Sequence, residues 1–184
     1  VVALLADPAA AAYDDVADSP RRLELSFDAS IDRSIGTNPD DPGSADLADV
    51  EAQTRRILAA LERMRDQETE RGVNLVGAHR DDLALVLGRM PVKGFASHGE
   101  SWSVALALRL GSFDLLRAEG ETPILVLDDV FAELDAKRRS GLATRIDAAD
   151  QVLITAAVEE DVPAELDTHV VRVSWSPETG SVAS

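Results

Sequence analysis

The stretch Pro123–Asp129, with the sequence PILVLDD, decides the fold because four consecutive apolar residues run directly into two carboxylates. A strand that is apolar on both faces is typical of the middle of a parallel sheet covered by helices. A second apolar stretch, QVLIT at Gln151–Thr155, predicts a neighbouring strand. Residues 135–149 between them have helical composition, and Asp135 stands where an N-cap is expected. Strand, helix and strand within about 30 residues form a βαβ unit, so the chain is predicted to be an α/β protein.

The regions that flank this unit predict further elements. Ser101–Ala118 has the composition of a largely buried helix, and His169–Trp175 predicts another strand near the sheet edge. Leu23–Phe27 alternates apolar and polar residues, which indicates a half-buried strand. Residues 35–45 combine Pro, Gly, Asn and Asp and therefore predict a loop. The residues after Ser176 are expected to form a flexible tail.

The longest predicted element is a helix over Asp46–Arg71, on the order of 40 Å long at 1.5 Å per residue. Ser44 or Asp46 could cap its start, and Gly72 stands where a C-terminal cap is expected. Residues at alternating spacings of three and four form a narrow apolar seam, typical of a coiled coil or helical hairpin. The seam consists of Leu47, Val50, Thr54, Ile57, Leu61 and Met64. Two interpretations stay open: a protruding arm that contacts a partner, or a helix packed along its own domain.

Length, charge and composition exclude several classes of protein. A chain of 184 residues corresponds to one domain or two small lobes. It has no run of about 18 apolar residues and hence no predicted transmembrane span. It has no cysteine, which excludes disulfides and thiolate metal sites. The net charge of -16 differs from the basic surface of an autonomous nucleic-acid binder, so DNA contact would need local basic patches or parts beyond this chain.

The paired acids Asp128 and Asp129 are the first candidate for chemistry. Ligands of open parallel sheets lie beyond the carboxyl ends of the strands, where these acids fall. One carboxylate there can hold a hard cation such as Mg²⁺, and the next can orient or deprotonate an attacking water. The pattern has the form of a Walker B element. The alternative is a buried strand that runs into an acidic turn.

The second candidate is the segment Ser97–Ser101, SHGES, which is predicted to begin a helix. Ser97 and Gly99 would place a hydroxyl and backbone N–H groups at the positive end of a helix dipole. That arrangement suits a phosphate group. The alternative is an ordinary helix cap.

Three segments together resemble the ABC-type ATPases, in which a signature loop is followed by Walker B and a D-loop. They are more closely similar to the RecF family of bacterial DNA-repair proteins, in the SMC-like branch, with an actinobacterial-like signature. The segments are GAHRDDL at 77–83, FASHGESW at 95–102 followed by ALALRL at 105–110, and LVLDDVFAELD at 125–135. The resemblance covers residues 73–160, and it extends to 1–72 through a strand-rich piece and a long helix.

The resemblance implies a role for each residue of the signature loop. Ser97 and Gly99 would contact the γ-phosphate of an ATP molecule held by a second subunit, and Glu100 belongs to the same ATP-binding loop. Glu100 and Ser101 depart from the glutamine-rich form of this loop that is common in the family. His79 and Arg80 carry a further family motif, and we interpret them as structural, with Arg80 paired to a nearby acid.

The acids receive roles from the same resemblance. Asp128 corresponds to the Walker B acid associated with Mg²⁺, which it would hold through water, and the implied cofactors are ATP and Mg²⁺. Asp129 corresponds to the catalytic acid that positions the attacking water, where most ABC ATPases have Glu. Asp135 corresponds to the D-loop acid at the dimer interface.

The implied fold is the C-terminal part of an ABC-type ATPase head, with a parallel-sheet core and flanking helices, plus a strand and long-helix arm. Residues 1–72 would form the arm, 73–176 the C-terminal half of the ATPase lobe, and 177–184 the flexible tail. Neither lysine of the chain is followed by Ser or Thr, so there is no Walker A motif. We therefore interpret the chain as the C-terminal portion of a longer protein, inactive when isolated.

The function that the resemblance implies is recombinational DNA repair and replication in the bacterial cytoplasm, without membrane association. The full-length protein would be a slow Mg²⁺-dependent ATPase that forms a homodimer on ATP binding. It would bind single-stranded and gapped duplex DNA and act with RecR and RecO in RecA loading and SOS induction. The alternatives are the head of another SMC-like ABC ATPase and a non-catalytic interaction module in which the acids and the cap are structural.

Overall fold

The structure is a computed structural model that describes residues 1–17, 19–35, 49–166, 169–178 and 180–184. The helices are α1 (Val2–Val16), α2 (Ser30–Ile35), α3 (Val50–Arg71), α4 (Val92–Phe95), α5 (His98–Ala118) and α6 (Ala136–Ile146). The strands are β1 (Leu23–Asp28), β2 (Asp82–Leu87), β3 (Met90–Pro91), β4 (Leu125–Asp128), β5 (Val152–Thr155), β6 (Val173–Ser176) and β7 (Gly180–Ala183). Among the helices that are described, none combines the length and the hydropathy that crossing a bilayer requires.

The chain divides into two compact units. The first contains residues 1–14 and 19–115, and the second contains residues 15–18 and 116–184. The predicted boundary between an arm and an ATPase lobe at residue 72 stays a prediction.

The first unit contains an antiparallel sheet in the order β1-β2-β3. Leu23 at the start of β1 lies opposite Leu87 at the end of β2, and both side chains are buried. The strand that the alternation at Leu23–Phe27 predicts is therefore present. The alternating pattern follows from the pleat, which turns successive side chains to opposite faces.

Helix α3 is capped at both ends. Asp49 Oδ1 accepts a hydrogen bond from the Ala52 N–H at 2.9 Å, which satisfies one of the free donors of the first turn. Gly72 adopts the left-handed conformation, with φ of 65°, and its N–H donates to the carbonyl of Glu68. The C-terminal cap predicted at Gly72 is confirmed. The predicted start at Asp46, the caps proposed at residues 44 and 46 and most of the predicted loop at 35–45 lie outside the described residues.

Helix α3 packs against its own unit through a face other than the predicted seam. Arg56 and Ala60 are buried, whereas Val50, Ile57 and Leu61 of the seam are 78%, 39% and 37% exposed. The buried face covers a small core cluster, whose members are Ala29, Ile31, Ala60, Val76 and, at its edge, Met64. The part of the helix around Arg56 and Ala60 therefore packs against its own unit, while most of the described seam residues remain exposed.

Most of α1 and most of α5 belong to the first unit, where the two helices pack together. Helix α5 confirms the buried helix predicted at 101–118 and begins three residues earlier, at His98. A Cβ atom added at Gly111 would lie 2.6 Å from the backbone N of Ala9 in α1, so the two backbones approach closely. Helix α1 was not predicted, because Pro8 stands in its interior, where proline normally disfavours a helix.

The second unit contains the predicted βαβ arrangement. Strands β4 and β5 are parallel, with Leu125 opposite Val152 and Asp128 opposite Thr155. Helix α6 lies between them in sequence, and Asp135 caps its start. The α/β fold class, with a parallel sheet and helices, is confirmed.

One expectation about this sheet is corrected. Leu125 and Leu127 are buried, but Ile124 and Val126 are 55% and 61% exposed, and Leu153 of β5 is 50% exposed. Among the described strands, β4 pairs with β5 alone. Because alternate side chains of a strand point to opposite faces, the described residues cover only one face of the β4–β5 sheet.

The end of the chain differs from the predicted tail. Strands β6 and β7 form an antiparallel hairpin of their own, with Val173 opposite Ala183. The backbone N–H groups of Arg172 and Ser184 each donate to the other's carbonyl at 2.9 Å, which extends the hairpin. The strand predicted at 169–175 is thus shorter and pairs with the segment that was expected to be flexible, because Gly180, with φ of 68°, permits a tight turn.

Candidate functional site

The paired acids stand at the carboxyl end of β4, as the sequence predicts. Asp128 is the last residue of the strand, and Asp129 follows it. Both are exposed. Asp129 has a φ of 52°, and in the described part of the chain it is the one residue other than glycine with a positive φ. Aspartate is enriched in this left-handed region relative to most residues.

Thr155 connects the two acids. Its hydroxyl donates a hydrogen bond to Asp128 Oδ1. The N–H of Asp129 lies 3.1 Å from both the hydroxyl oxygen and the carbonyl oxygen of Thr155. One threonine at the end of β5 therefore contacts the side chain of the first acid and the backbone of the second.

The donor atoms here suit Mg²⁺ held largely by water and substrate. Asp128 offers a carboxylate with the Thr155 hydroxyl beside it, both hard oxygen ligands. In the part of the chain that the structure describes, no group of three or more His, Asp or Glu could hold a metal ion. Mg²⁺ is usually bound by one or two carboxylates plus phosphates and several waters. The residues therefore fit an open magnesium site and do not form an all-protein cage.

Asp135 lies after a short 3-10 turn at Phe131–Glu133. Its Oδ1 accepts a hydrogen bond from the Arg138 N–H at 3.0 Å, so the residue is the N-cap of α6. Arg139 holds the same turn: its Nε donates to the Leu134 carbonyl at 2.9 Å, and its guanidinium pairs with Asp161 at 2.8 Å. The Asp135 side chain is more than half exposed, which leaves it accessible beside its capping bond.

The signature segment forms a capping box at the start of α5. Glu100 Oε2 accepts hydrogen bonds from the Ser97 N–H at 2.9 Å and from the Ser97 hydroxyl at 3.0 Å. The Glu100 N–H lies 3.3 Å from the Ser97 hydroxyl oxygen. This reciprocal pattern satisfies free donors at a helix start. Gly99 lies between the two residues, in the first turn of the helix.

Glu100 is also paired with Arg21, which precedes β1 in the same unit. The Glu100 side chain is mostly buried, at 15% exposure, whereas that of Arg21 is 41% exposed. The guanidinium compensates part of the negative charge of this carboxylate at the start of α5. The departure from glutamine at position 100 therefore has a partner of opposite charge in this chain.

The hydrogen bonds of the motif Gly77–Asp82 connect it to neighbouring segments of its own unit. Asp81 Oδ1 accepts the Ser30 N–H at 2.7 Å at the start of α2, and the Ser30 hydroxyl lies 3.1 Å from both the N and O of Gly77. Arg80 Nε donates to the Asn74 carbonyl at 3.0 Å. The expected pairing of Arg80 with an acid is corrected: its side chain bonds a backbone carbonyl, which lies within reach because a short 3-10 turn folds the motif back.

The structure groups the predicted site residues in two sets. Asp128 and Asp129 lie together at the end of β4 in the second unit, with Asp135 at the start of α6. The signature residues, 97, 99 and 100, lie together in the first unit. Sequence reasoning missed Thr155 and Arg21. For Thr155 a signal existed: it ends the strand predicted next to β4, and parallel strands place their carboxyl ends at one edge.

Comparison with known proteins identifies relatives over most of the chain. A protein from Beutenbergia cavernae is 52% identical over 169 residues, covering 85% of this chain and 42% of its own length. One from Rhodococcus erythropolis is 52% identical over 173 residues, covering 94% of this chain and 42% of its own length. One from Renibacterium salmoninarum is 48% identical over 174 residues, covering 89% of this chain and 44% of its own length. Each is described as DNA replication and repair protein RecF.

Solved structures show the same fold. A structure of the recombination mediator protein RecF-ATPrS in the RecFOR pathway matches with a TM-score of 0.64 and 20% identity, over 88% of this chain and 40% of that chain. A structure of RecF-ATP in the same pathway matches with a TM-score of 0.60 and 19% identity, over 86% of this chain and 39% of that chain.

The chain spans about two fifths of the length of the curated relatives it matches. No protein-family model matches it. The relatives are nevertheless about half identical to it over nearly its whole length, and the solved RecF structures share its fold. This chain belongs to the RecF family.

Proposed function

We propose that this chain is the C-terminal portion of a slow Mg²⁺-dependent ATPase that acts in bacterial DNA repair and replication. The observation that carries the proposal is the pair of acids at the carboxyl end of β4, both held by Thr155. These exposed carboxylates lie at the edge where open parallel sheets bind their ligands. Their oxygens are of the kind that Mg²⁺ takes as ligands.

The two acids would divide the chemistry between them. Asp128 would hold Mg²⁺ through water, and the ion would neutralise charge on the phosphates. Asp129, whose carboxylate follows directly, would orient the attacking water and accept its proton. Its side chain is shorter than the glutamate common in ABC ATPases, so its reach is smaller and turnover is expected to be slow.

The signature loop would act on ATP held by a second subunit. Ser97 would offer its hydroxyl and Gly99 its backbone N–H to the γ-phosphate, at the positive end of the α5 dipole. Glu100, paired with Arg21, would hold the loop through the capping box. Asp135, more than half exposed at the start of α6, would lie at the interface of the ATP-bound homodimer.

Binding of gapped and single-stranded DNA would depend mainly on regions outside these residues. The net charge of -16 opposes the polyphosphate backbone and disfavours a nucleic-acid surface on this chain alone. RecR, RecO and RecA are the expected partners of the full-length protein in RecA loading and SOS induction, in the cytoplasm. The isolated chain is expected to hydrolyse no ATP.

The test uses two variants of the full-length protein that contains this chain. Asp129→Asn removes the carboxylate but keeps the size and tolerates the left-handed backbone. It should abolish hydrolysis and trap the ATP-bound dimer. Ser97→Arg places a bulky cation where the partner's phosphate must dock, and should prevent ATP-driven dimerisation while each monomer still binds ATP. Sedimentation with and without Mg-ATP distinguishes the two results.

Asp150→Asn is the matched control, because it removes one exposed carboxylate of the same unit, just before β5. It should dimerise and hydrolyse ATP like the wild type. If Asp129→Asn and Ser97→Arg also behave like the wild type, the acids and the cap are structural. The chain would then function as an interaction module.

A further inference from the structure

We propose that Thr155 is a positioning residue for ATP hydrolysis, which fixes the carboxylate of Asp128 and the backbone of Asp129 at the same time. The proposal rests on the proposed function. It assigns to one hydroxyl group the alignment of both acids.

The first argument is the register of the sheet. Thr155 lies directly opposite Asp128 in the parallel pair of β4 and β5. The pairing of the two strands therefore places the threonine hydroxyl next to the carboxylate, and both residues belong to the sheet itself and not to a loop. Both residues end their strands, and both are exposed.

The second argument is what the hydroxyl does with its two hydrogen-bonding directions. Its hydrogen is donated to Asp128 Oδ1, and its oxygen lies 3.1 Å from the Asp129 N–H, which donates to it. A hydroxyl can donate one bond and accept others, so both contacts form together. An aliphatic side chain of the same shape can form neither.

The third argument is the backbone of Asp129. Its φ of 52° places it in the left-handed region, which is sterically unfavourable for most L-residues. The N–H of Asp129 is shared between the hydroxyl and the carbonyl of Thr155. Removal of the hydroxyl leaves only the carbonyl acceptor, so the turn that aims the Asp129 side chain loses one of its two anchors.

The fourth argument concerns Asp128. The bond to Oδ1 selects one orientation of the carboxylate and leaves the other oxygen free of this contact. A magnesium site built from one carboxylate, waters and phosphates has few protein ligands to define it. The orientation of that carboxylate therefore affects the concentration of Mg²⁺ that the site requires.

An alternative explanation for a threonine at this position is that β-branched residues favour strands, with no role for the hydroxyl. Thr155→Val separates this possibility from the proposal, because valine keeps the shape and the strand preference and removes the hydroxyl. Thr155→Ser keeps the hydroxyl and removes the methyl group. The matched control is Thr144→Val, because the Thr144 hydroxyl donates only within α6, to the Ser140 carbonyl at 3.0 Å.

The experiment measures kcat, the Mg²⁺ concentration for half-maximal hydrolysis and ATP affinity for the full-length protein. Loss of a hydrogen bond to a charged group predicts that Thr155→Val lowers kcat about tenfold or more. The half-maximal Mg²⁺ concentration should rise several-fold, while ATP affinity measured without Mg²⁺ stays unchanged. Thr155→Ser should recover kcat to within about threefold, and Thr144→Val should match the wild type.

Wild-type kcat and Mg²⁺ dependence in Thr155→Val overturn the proposal. If Asp129→Asn still abolishes hydrolysis in that case, the proposed function stands and only the role of Thr155 is lost. If Asp129→Asn hydrolyses ATP normally, the proposed function itself fails. Should Thr155→Val not fold by circular dichroism, Thr155→Ala is compared with Thr155→Ser, and equal kcat in that pair overturns the proposal.

Discussion

The hydroxyl of Ser97 donates to the carboxylate of Glu100 at 3.0 Å, and the N–H of Ser97 donates to the same oxygen at 2.9 Å. The hydroxyl that we propose as a phosphate ligand is therefore already engaged by an acid in this chain. A γ-phosphate from a second subunit must compete with Glu100 for it. The negative charge of Glu100 also lies at the helix start where the phosphate would dock.

The first prediction is that Glu100→Gln strengthens ATP-dependent dimerisation of the full-length protein. A neutral amide competes less for the Ser97 hydroxyl, and Arg21, released from its ion pair, adds positive charge beside the loop. The dissociation constant of the ATP-bound dimer should fall about fivefold, or ~1 kcal/mol. Sedimentation equilibrium with Mg-ATP measures it.

Glu119→Gln is the control for the change in net charge, because Glu119 is exposed beyond the end of α5. It should leave the dissociation constant unchanged. Weaker dimerisation of Glu100→Gln would contradict the prediction and indicate that the ion pair with Arg21 holds the loop in its binding geometry.

The elements that sequence reasoning predicted correctly are those whose signals are local. Strand β4, helix α6 and strand β5 follow one another within 31 residues, and each carries its own apolar pattern or cap. Helix α1 has no such signal: its alanine-rich residues show no clear period, and Pro8 opposes a helix. It packs closely against α5 at Gly111, a contact about a hundred residues away in sequence that no local pattern reveals.

The candidate site divides in the same way. Asp128, Asp129 and Asp135 could be found from the chain because they stand next to a recognisable strand or helix. Thr155 depends on the register of β5 against β4, and a shift of one residue would turn its side chain to the other face. Register is set by packing along the whole strand pair, so a local pattern does not determine it.

The second prediction concerns the backbone at Asp129, with φ of 52°. Glutamate lacks the local hydrogen bonding that makes aspartate tolerable in the left-handed region. Asp129→Glu should therefore lower the free energy of unfolding by about 1 kcal/mol, whereas Asp129→Asn should change it by less than about 0.5 kcal/mol. Urea denaturation of the 184-residue chain compares the two. Equal stability of both variants would show that the turn relaxes to accept the longer side chain.

The third prediction concerns Gly141, in the middle of α6. A Cβ atom there would lie 2.1 Å from the carbonyl oxygen of Asp15, at the end of α1. Helix propensity alone predicts that Gly141→Ala stabilises the protein by ~1 kcal/mol. The contact predicts the opposite, because backbone atoms must move apart and the ion pair between Arg145 and Asp15, one turn along, is strained with them.

We expect a loss of about 2 kcal/mol in the free energy of unfolding for Gly141→Ala, within the range of overpacked cores. Thermal or urea denaturation measures it. Ser140→Ala, at the exposed neighbouring position, is the control. It should be neutral or slightly stabilising, because it raises helix propensity at a position that is not closely packed. Stabilisation by both substitutions would mean that the last turn of α1 does not pack against α6 in solution.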